Sequence, residues 1–370
     1  MAYGTVQADV IGTSVAGSNL GAGNASIMKN RIINGAMVID QRNAGASVTA
    51  TNANLYTLDR WQAVAINSSK YTVQQNAGSV TPPAGFTNYL GVTSSAATSV
   101  GASDYYFLAQ YIEGYNIADL GWGTANAKTV TASFWVRSSL TGTFSGATRN
   151  DASDRSYPFT YTISSANTWE YKTITIVGDT SGSWNSTNGN GIRFTFSLGI
   201  GSTYSTTGNA WTTGNYLSAT GATSVVGTSG ATFYITGVQL EVGSSATGFE
   251  YVNYQTSLAN CQRYCETIVS TGNNSGLWPV QIGSSTNGRG TLAYRVTKRA
   301  TPTVTFTTPS TYLIQEAGGN RIPSSVSLVA ANTNTCLIDA TISGGTTGYG
   351  AMCLENAVSG TIMALITAEL

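Results

Sequence analysis

Between residues 31 and 255 the sequence keeps breaking into short runs of alternating apolar and polar residues, each closed by a cluster of Gly, Asn or Ser. A period of two sends successive side chains to opposite faces, so such runs bury a face only by joining a sheet. The clearest span 60–66, 71–75, 105–113, 129–137, 159–163, 170–176, 192–198 and 231–242, all rich in β-branched and aromatic residues. Eight runs with turn chemistry between them, and no long helical period, predict an all-β chain. Its main domain is an antiparallel jelly-roll sandwich over 31–255.

The flanks read differently. Residues 1–30 are Gly-, Ala-, Ser- and Asn-rich with a weak apolar pattern, too little to order without a partner. Around 254–269 the period changes: Leu258, Cys261, Tyr264, Cys265 and Ile268 share one helical face, predicting a short connecting helix over 256–270. Runs at 291–296, 303–306, 326–330, 335–340 and 361–367 return to alternation, predicting a smaller C-terminal β-sandwich over 271–370.

Composition excludes several functions. Only 9 % of residues are charged, against roughly 25 % in an ordinary domain. With 17 basic and 17 acidic residues there is no electrostatic footprint for nucleic acid or an anionic membrane. No histidine is present, which removes Ser-His-Asp and Cys-His catalysis, His-ligated zinc and a histidine pH switch. No cofactor is called for. The opening Met1-Ala2-Tyr3-Gly4-Thr5 has neither a basic nor an apolar export region, and the apolar run 362–366 is far below membrane-spanning length. The expectation is a chain made in a cytoplasm. Its cysteines Cys261, Cys265, Cys336 and Cys353 fit no zinc or redox spacing and are expected as free, buried thiols. A Cys336 to Cys353 bridge between adjacent strands is the alternative.

Two stretches carry a resemblance. One is Ile235-Thr236-Gly237-Val238-Gln239-Leu240-Glu241-Val242-Gly243, followed by Ala246-Thr247-Gly248-Phe249-Glu250-Tyr251 and Cys261-Gln262-Arg263-Tyr264-Cys265-Glu266. The other is Asn30-Arg31-Ile32-Ile33-Asn34-Gly35-Ala36-Met37 with Asp59-Arg60-Trp61. With Gln110 to Gly114 and Ser133-Phe134-Trp135-Val136-Arg137, they resemble tail-fibre and related virion structural proteins of tailed bacteriophages over most of 28–270. Gly248 stands where such proteins usually have Pro, and Cys265 where Tyr is commoner. The resemblance implies a jelly roll similar to carbohydrate-binding modules, a homotrimer located on the virion, and attachment to a host-surface glycan. It also implies that residues 1–30 bind another virion protein. It does not separate a tail fibre from a capsid-decoration or connector protein.

A sugar ring has apolar faces and a polar edge, so its site needs aromatic platforms with a neutral polar rim. Trp184, Trp211, Tyr204 and Tyr216 lie in Gly-, Ser- and Asn-rich loops and are the candidate platforms. The plainer reading is that they cover the sandwich edge or a subunit interface. Trp61, Trp135 and Trp169 fit strand patterns and are expected in the core. Asp151 and Asp154 form an acidic pair between Arg149 and Arg155, read either as a weak Ca²⁺ candidate or as an ion-paired turn. A polysaccharide depolymerase would need two carboxylates roughly 5 to 9.5 Å apart. Nothing in the sequence selects such a pair, and Glu113 and Glu241 read as strand residues capping backbone or pairing with arginine. The expectation is therefore a protein that is not an enzyme. Arg289, Arg295, Lys298 and Arg299 make the one basic run, expected as a solvated edge.

Overall fold

The computed structural model describes residues 28–370 apart from Asn54 and Asn273. The N-terminal attachment segment expected over residues 1–30 therefore lies almost wholly outside the described residues. The chain divides into two compact units after Val252.

The first unit is a jelly-roll β-sandwich. Its six-stranded sheet has the order Val48–Thr49, Tyr71–Gln75, Leu90–Ser94, Thr232–Val242, Val130–Ser138, Glu170–Ile176. Its seven-stranded sheet has the order Thr212–Thr213, Arg155–Ile163, Gly142–Arg149, Asn190–Ile200, Tyr105–Glu113, Gln62–Ala65, Leu55–Tyr56. All pairings in both sheets are antiparallel. The inward residues interdigitate as an aromatic core, with Phe196 ringed by Trp61, Phe134, Phe159, Phe194 and Phe233 at 5.0–6.4 Å. Gly142–Arg149 escapes the alternation rule. Its Gly, Ala and Ser are too small to mark a face, and the strand is buried on both sides because residues 201–223 cross its outer surface. There Ala219 N–H donates to Ser145 Oγ at 2.7 Å, Tyr216 N–H to Ser156 Oγ at 3.0 Å and Thr223 N–H to the Thr143 carbonyl at 2.7 Å. Leu217 seals that face against Val64, Phe107 and Ala109. Of the three tryptophans expected inside, Trp61 is fully buried. Trp135 and Trp169 are half-buried against Tyr171 and Tyr89, because the strand parity that buries Phe134 and Val136 turns Trp135 outward.

The stretches that carried the resemblance meet in space. Asn30 Nδ2 donates to the Val238 carbonyl at 3.0 Å while its Oδ1 accepts from Leu240 N–H at 3.0 Å and Ile32 N–H at 2.9 Å. Arg31 N–H donates to the Leu240 carbonyl, and Val238 N–H to the Gly35 carbonyl. Gln110 accepts from Ile33 N–H and donates to the Ile33 carbonyl. Glu241, fully buried, accepts from Thr247 N–H, Thr247 Oγ1 and Gln239 Nε2, which is a backbone-capping role. A Cβ at Gly35 would lie 2.1 Å from the Val238 carbonyl oxygen.

The second unit, Asn253–Leu370, opens with the helix Tyr254–Gln262, capped by Asn253 Oδ1 accepting from Thr256 N–H at 2.9 Å. The helix expected over 256–270 is therefore half helix and half strand. Cys265–Val269 is a strand, because Thr267, Ile268 and Val269 prefer a pleated surface and pair with Ile362–Thr367. That strand, Ile362–Thr367 and Thr303–Phe306 form one sheet. Gly319–Arg321, Tyr312–Glu316, Gly350–Glu355, Gly276–Ser284, Asn287–Ala293, Thr335–Thr341 and Ser325–Ala331, in that order, form the other. They share a core that includes Trp278, Phe306, Tyr312, Ile338 and Ile366. All four cysteines are buried thiols outside any disulfide. Two strands separate Cys353 from Cys336, so they sit about 14 Å apart at the usual strand spacing, beyond disulfide reach. The basic run expected as a solvated edge divides: Arg289 and Arg295 are exposed, though Arg289 is on an inner strand of its sheet, whereas Lys298 is buried, donating to Glu266 at 2.6 Å and to the Gln262 carbonyl at 2.7 Å. Arg289 holds Asp339 in a bidentate pair.

Two outcomes follow from these contacts. Gly35→Ala drives a methyl into the Val238 carbonyl and should cost about 1–3 kcal/mol, read as a lower urea midpoint for the first unit. Glu355 accepts from Thr271 Oγ1, Thr271 N–H and Ser275 N–H, which holds its carboxyl far below the usual range. A depressed folded pKa contributes stability that is complete above the unfolded value and drains as pH falls below it. Glu355→Gln should therefore flatten the loss of second-unit stability below about pH 5, measured by urea unfolding at stepped pH.

Candidate glycan-binding surface

Loops from four parts of the first unit converge at one end of the sandwich. Gly123 N–H donates to the Asp179 carbonyl at 2.7 Å, and Gly214 N–H to the Asp154 carbonyl at 2.8 Å. Asn150 Nδ2 donates to the Ser183 carbonyl at 3.1 Å. These ties gather Trp122, Trp184 and Trp211 into a mutual edge-to-face triad, with centroids 4.7, 5.4 and 5.5 Å apart. Tyr157 adds a fourth ring 5.3 Å from Trp211. Glycine is required for so close an approach: Gly123 has φ +84°, and a Cβ there would meet the Gly182 carbonyl at 2.7 Å.

Each indole N–H is already spent on a backbone carbonyl: Trp122 on Lys128 at 2.8 Å, Trp184 on Ser181 at 3.1 Å, Trp211 on Val177 at 2.7 Å. Trp122 is buried at the base, while Trp184 and Trp211 are half-buried. What this cluster offers to solvent is therefore ring surface, the apolar half of a sugar site. A polar rim surrounds it. Arg155 forms a bidentate pair with Asp179 at 2.7 and 2.8 Å and lies 6.0 Å over the Trp211 ring. Hydrogen bonding to Asp179 raises the guanidinium pKa, keeping it charged. Thr213 Oγ1, exposed and 3.3 Å from Arg155 Nη1, adds a hydroxyl to the rim, while Asp179 and Asn150 are buried and brace the loops from within.

Of the four aromatics singled out in the sequence, the fold brings Trp184 and Trp211 together. Tyr216 rests on Gly214 in the adjoining loop, where a Cβ would be 2.7 Å from its ring. Tyr204 is at the other end of the sandwich, edge-on to Tyr105 at 5.5 Å, beside the strand terminus where Tyr105 pairs with Ile200. Asp151 and Asp154 turn to separate partners: Asp151 accepts from Arg193 at 2.6 Å and Asn190 at 3.1 Å, Asp154 from Asn150 at 2.6 Å. Among the described residues no group of three or more His, Cys, Asp or Glu is placed to hold a metal. Trp122 was not anticipated, although Gly121 and Gly123 flank it and give it the same loop signature as its two partners.

No family model and no curated protein matches the chain. Solved structures do. A CBM4 structure is 16 % identical with a TM-score of 0.29, over 57 % of this chain and 98 % of its own. The family 11 carbohydrate-binding module of a cellulosomal cellulase of Clostridium thermocellum is 12 % identical with a TM-score of 0.26, over 55 % and 99 %. The enzymatically active domain of tailspike protein 4 of bacteriophage CBA120 is 11 % identical with a TM-score of 0.31, over 58 % of this chain. The match spans only 22 % of that tailspike structure.

The triad separates a supporting ring from an exposed one. Trp122→Ala should cost about 3–5 kcal/mol of first-unit stability. Trp184→Ala, which loses a half-exposed ring, should cost less than half as much in the same urea titration.

Proposed function

We propose that the chain is a fibre protein of a bacteriophage virion, most simply a tail fibre, that assembles as a homotrimer and attaches to host-surface glycans through its first unit. The observation that carries the glycan reading is the Trp122, Trp184 and Trp211 triad: two partly exposed rings held rigidly over a buried third, with their N–H groups engaged and Arg155 and Thr213 beside them. Rings locked by packing lose little entropy when a sugar stacks on them. The virion and trimer parts rest on the sequence resemblance, and residues 1–30 are assigned to another virion protein on the same ground. In this reading the protein binds glycan without cleaving it.

A second reading, a structural decoration or connector protein, is favoured by the covering of the outer face of the seven-stranded sheet by residues 201–223. That leaves the loop end as the site for a ligand.

The test is binding of the full-length protein to host cells before and after periodate oxidation of surface sugars. Periodate-sensitive binding, weakened at least about tenfold by Trp184→Ala with an unchanged melting curve, is the expected result. Binding that ignores both treatments removes the glycan reading. Light scattering should return three times the 38.5 kDa of one chain, and a monomer removes the trimer.

A further inference from the structure

The outer face of the seven-stranded sheet ends in two arginines set side by side. Arg193 stands directly opposite Arg149 on one neighbouring strand and opposite Tyr111 on the other. Facing side chains in an antiparallel pair lie only about 5 Å apart at Cβ, and like charges there repel. Among the described residues, one carboxylate lies within ion-pair distance of either guanidinium: Asp151, 2.6 Å from Arg193 Nη2. Glu113, the next carboxylate along the Tyr111 strand, is buried opposite Asn190.

Arg149 is 4 % exposed, donates from Nη1 to Asn215 Oδ1, and has a buried Nε with no acceptor. Arg193 Nε and Asn190 Oδ1 are likewise buried and unpartnered. Burial lowers the Arg149 pKa to about 10, with the Arg193 charge adding to the effect and Tyr111 opposing it. The cluster opens to solvent. Asp151 is 46 % and Arg193 25 % exposed, Asn215 is exposed, and Tyr111, Asn190 and Ser153 are half-buried around it. The Tyr111 ring lies 5.5 Å under the Arg193 guanidinium.

We propose that Arg193 and Arg149, with Tyr111, Asn190 and Asn215, form a subsite for the carboxylate of an acidic sugar, closed in the unbound protein by the Asp151 side chain. This rests on the glycan reading above and narrows it to uronate-type glycans. A planar carboxylate matches the donor fork of Arg193 and brings a second negative oxygen toward the unpartnered Arg149 Nε. Asp151, on an exposed turn, is the internal carboxylate that an incoming one displaces. A neutral sugar has nothing with which to replace it, so the exchange selects for charge.

The test immobilises oligogalacturonate, the same oligosaccharide after carboxyl reduction, and a heparin fragment, and measures binding of the full-length protein and two variants at the mouth of the cluster. Wild type should bind the uronate about tenfold or more tighter than the reduced form. Arg193→Gln should bring that ratio close to one while leaving the reduced form bound as before. Asp151→Asn should tighten uronate binding several-fold, an effect that a misfolded variant cannot mimic. Preference for heparin over the uronate overturns the carboxylate assignment in favour of a sulfate site. Equal binding of acidic and reduced forms, or a preference that survives Arg193→Gln, overturns the subsite and leaves the Trp184 reading intact. Failure to bind any of the three, with cell binding still periodate-sensitive, overturns the subsite alone; failure of both removes the two readings together.

Discussion

The first unit depends on a short polar seam. Asn30 splits its amide between the Val238 carbonyl and the Leu240 N–H, Gly35 passes against the Val238 carbonyl where no side chain fits, and Gln110 clasps both backbone groups of Ile33. Through these contacts the entering segment occupies the stretch of Thr232–Val242 at which pairing with Val130–Ser138 skips from Thr236 to Gln239. Bulged backbone cannot satisfy itself, and unpaired buried amides are expensive. The seam supplies the missing partners with side chains fixed in sequence. The sandwich can then close with its aromatic core dry and its backbone satisfied at that edge.

Closure decides where function can sit. In the first unit one sheet face is core, and residues 201–223 cover the outside of the seven-stranded sheet with Leu217, Ala219 and a row of backbone hydrogen bonds. The loop end beyond that cover combines partly exposed aromatic rings with buried cations. The arginine pair stands on adjacent strands of the seven-stranded sheet, and the Trp triad on loops tied to one another by backbone hydrogen bonds; rigid placement of this kind positions a ligand more sharply than free loops do.

Scarcity of charge gives each ion pair a definite task. Glu266 and Lys298 neutralise one another inside the second unit, Arg155 and Asp179 tie two loops of the first, and Arg31 anchors the entering segment to Asp119. A buried pair is a costly way to gain stability, but losing one partner is costlier still. Arg149 departs from this pairing, with the Asn215 amide oxygen where Arg155 and Arg193 have carboxylates.

The sequence by itself determined the all-β class, most of the long strands of the first unit and two of the three tryptophans that meet in the loops. Alternation over 71–75, 105–113 and 170–176 reports which residues can share a face, and that is a local property. It missed Gly142–Arg149, whose small residues are buried on both sides by a distant segment. It also read 265–269 as helix, because apolar spacing alone cannot tell a helix end from a strand packed on one. Tertiary structure alone decided that Trp184 and Trp211 meet over an unanticipated Trp122, that Tyr204 goes to the other end, and that two strands stand between Cys336 and Cys353. Those outcomes depend on strand order and register. Both are set by which faces bury best against each other across a hundred residues or more, and no short window of sequence contains that competition.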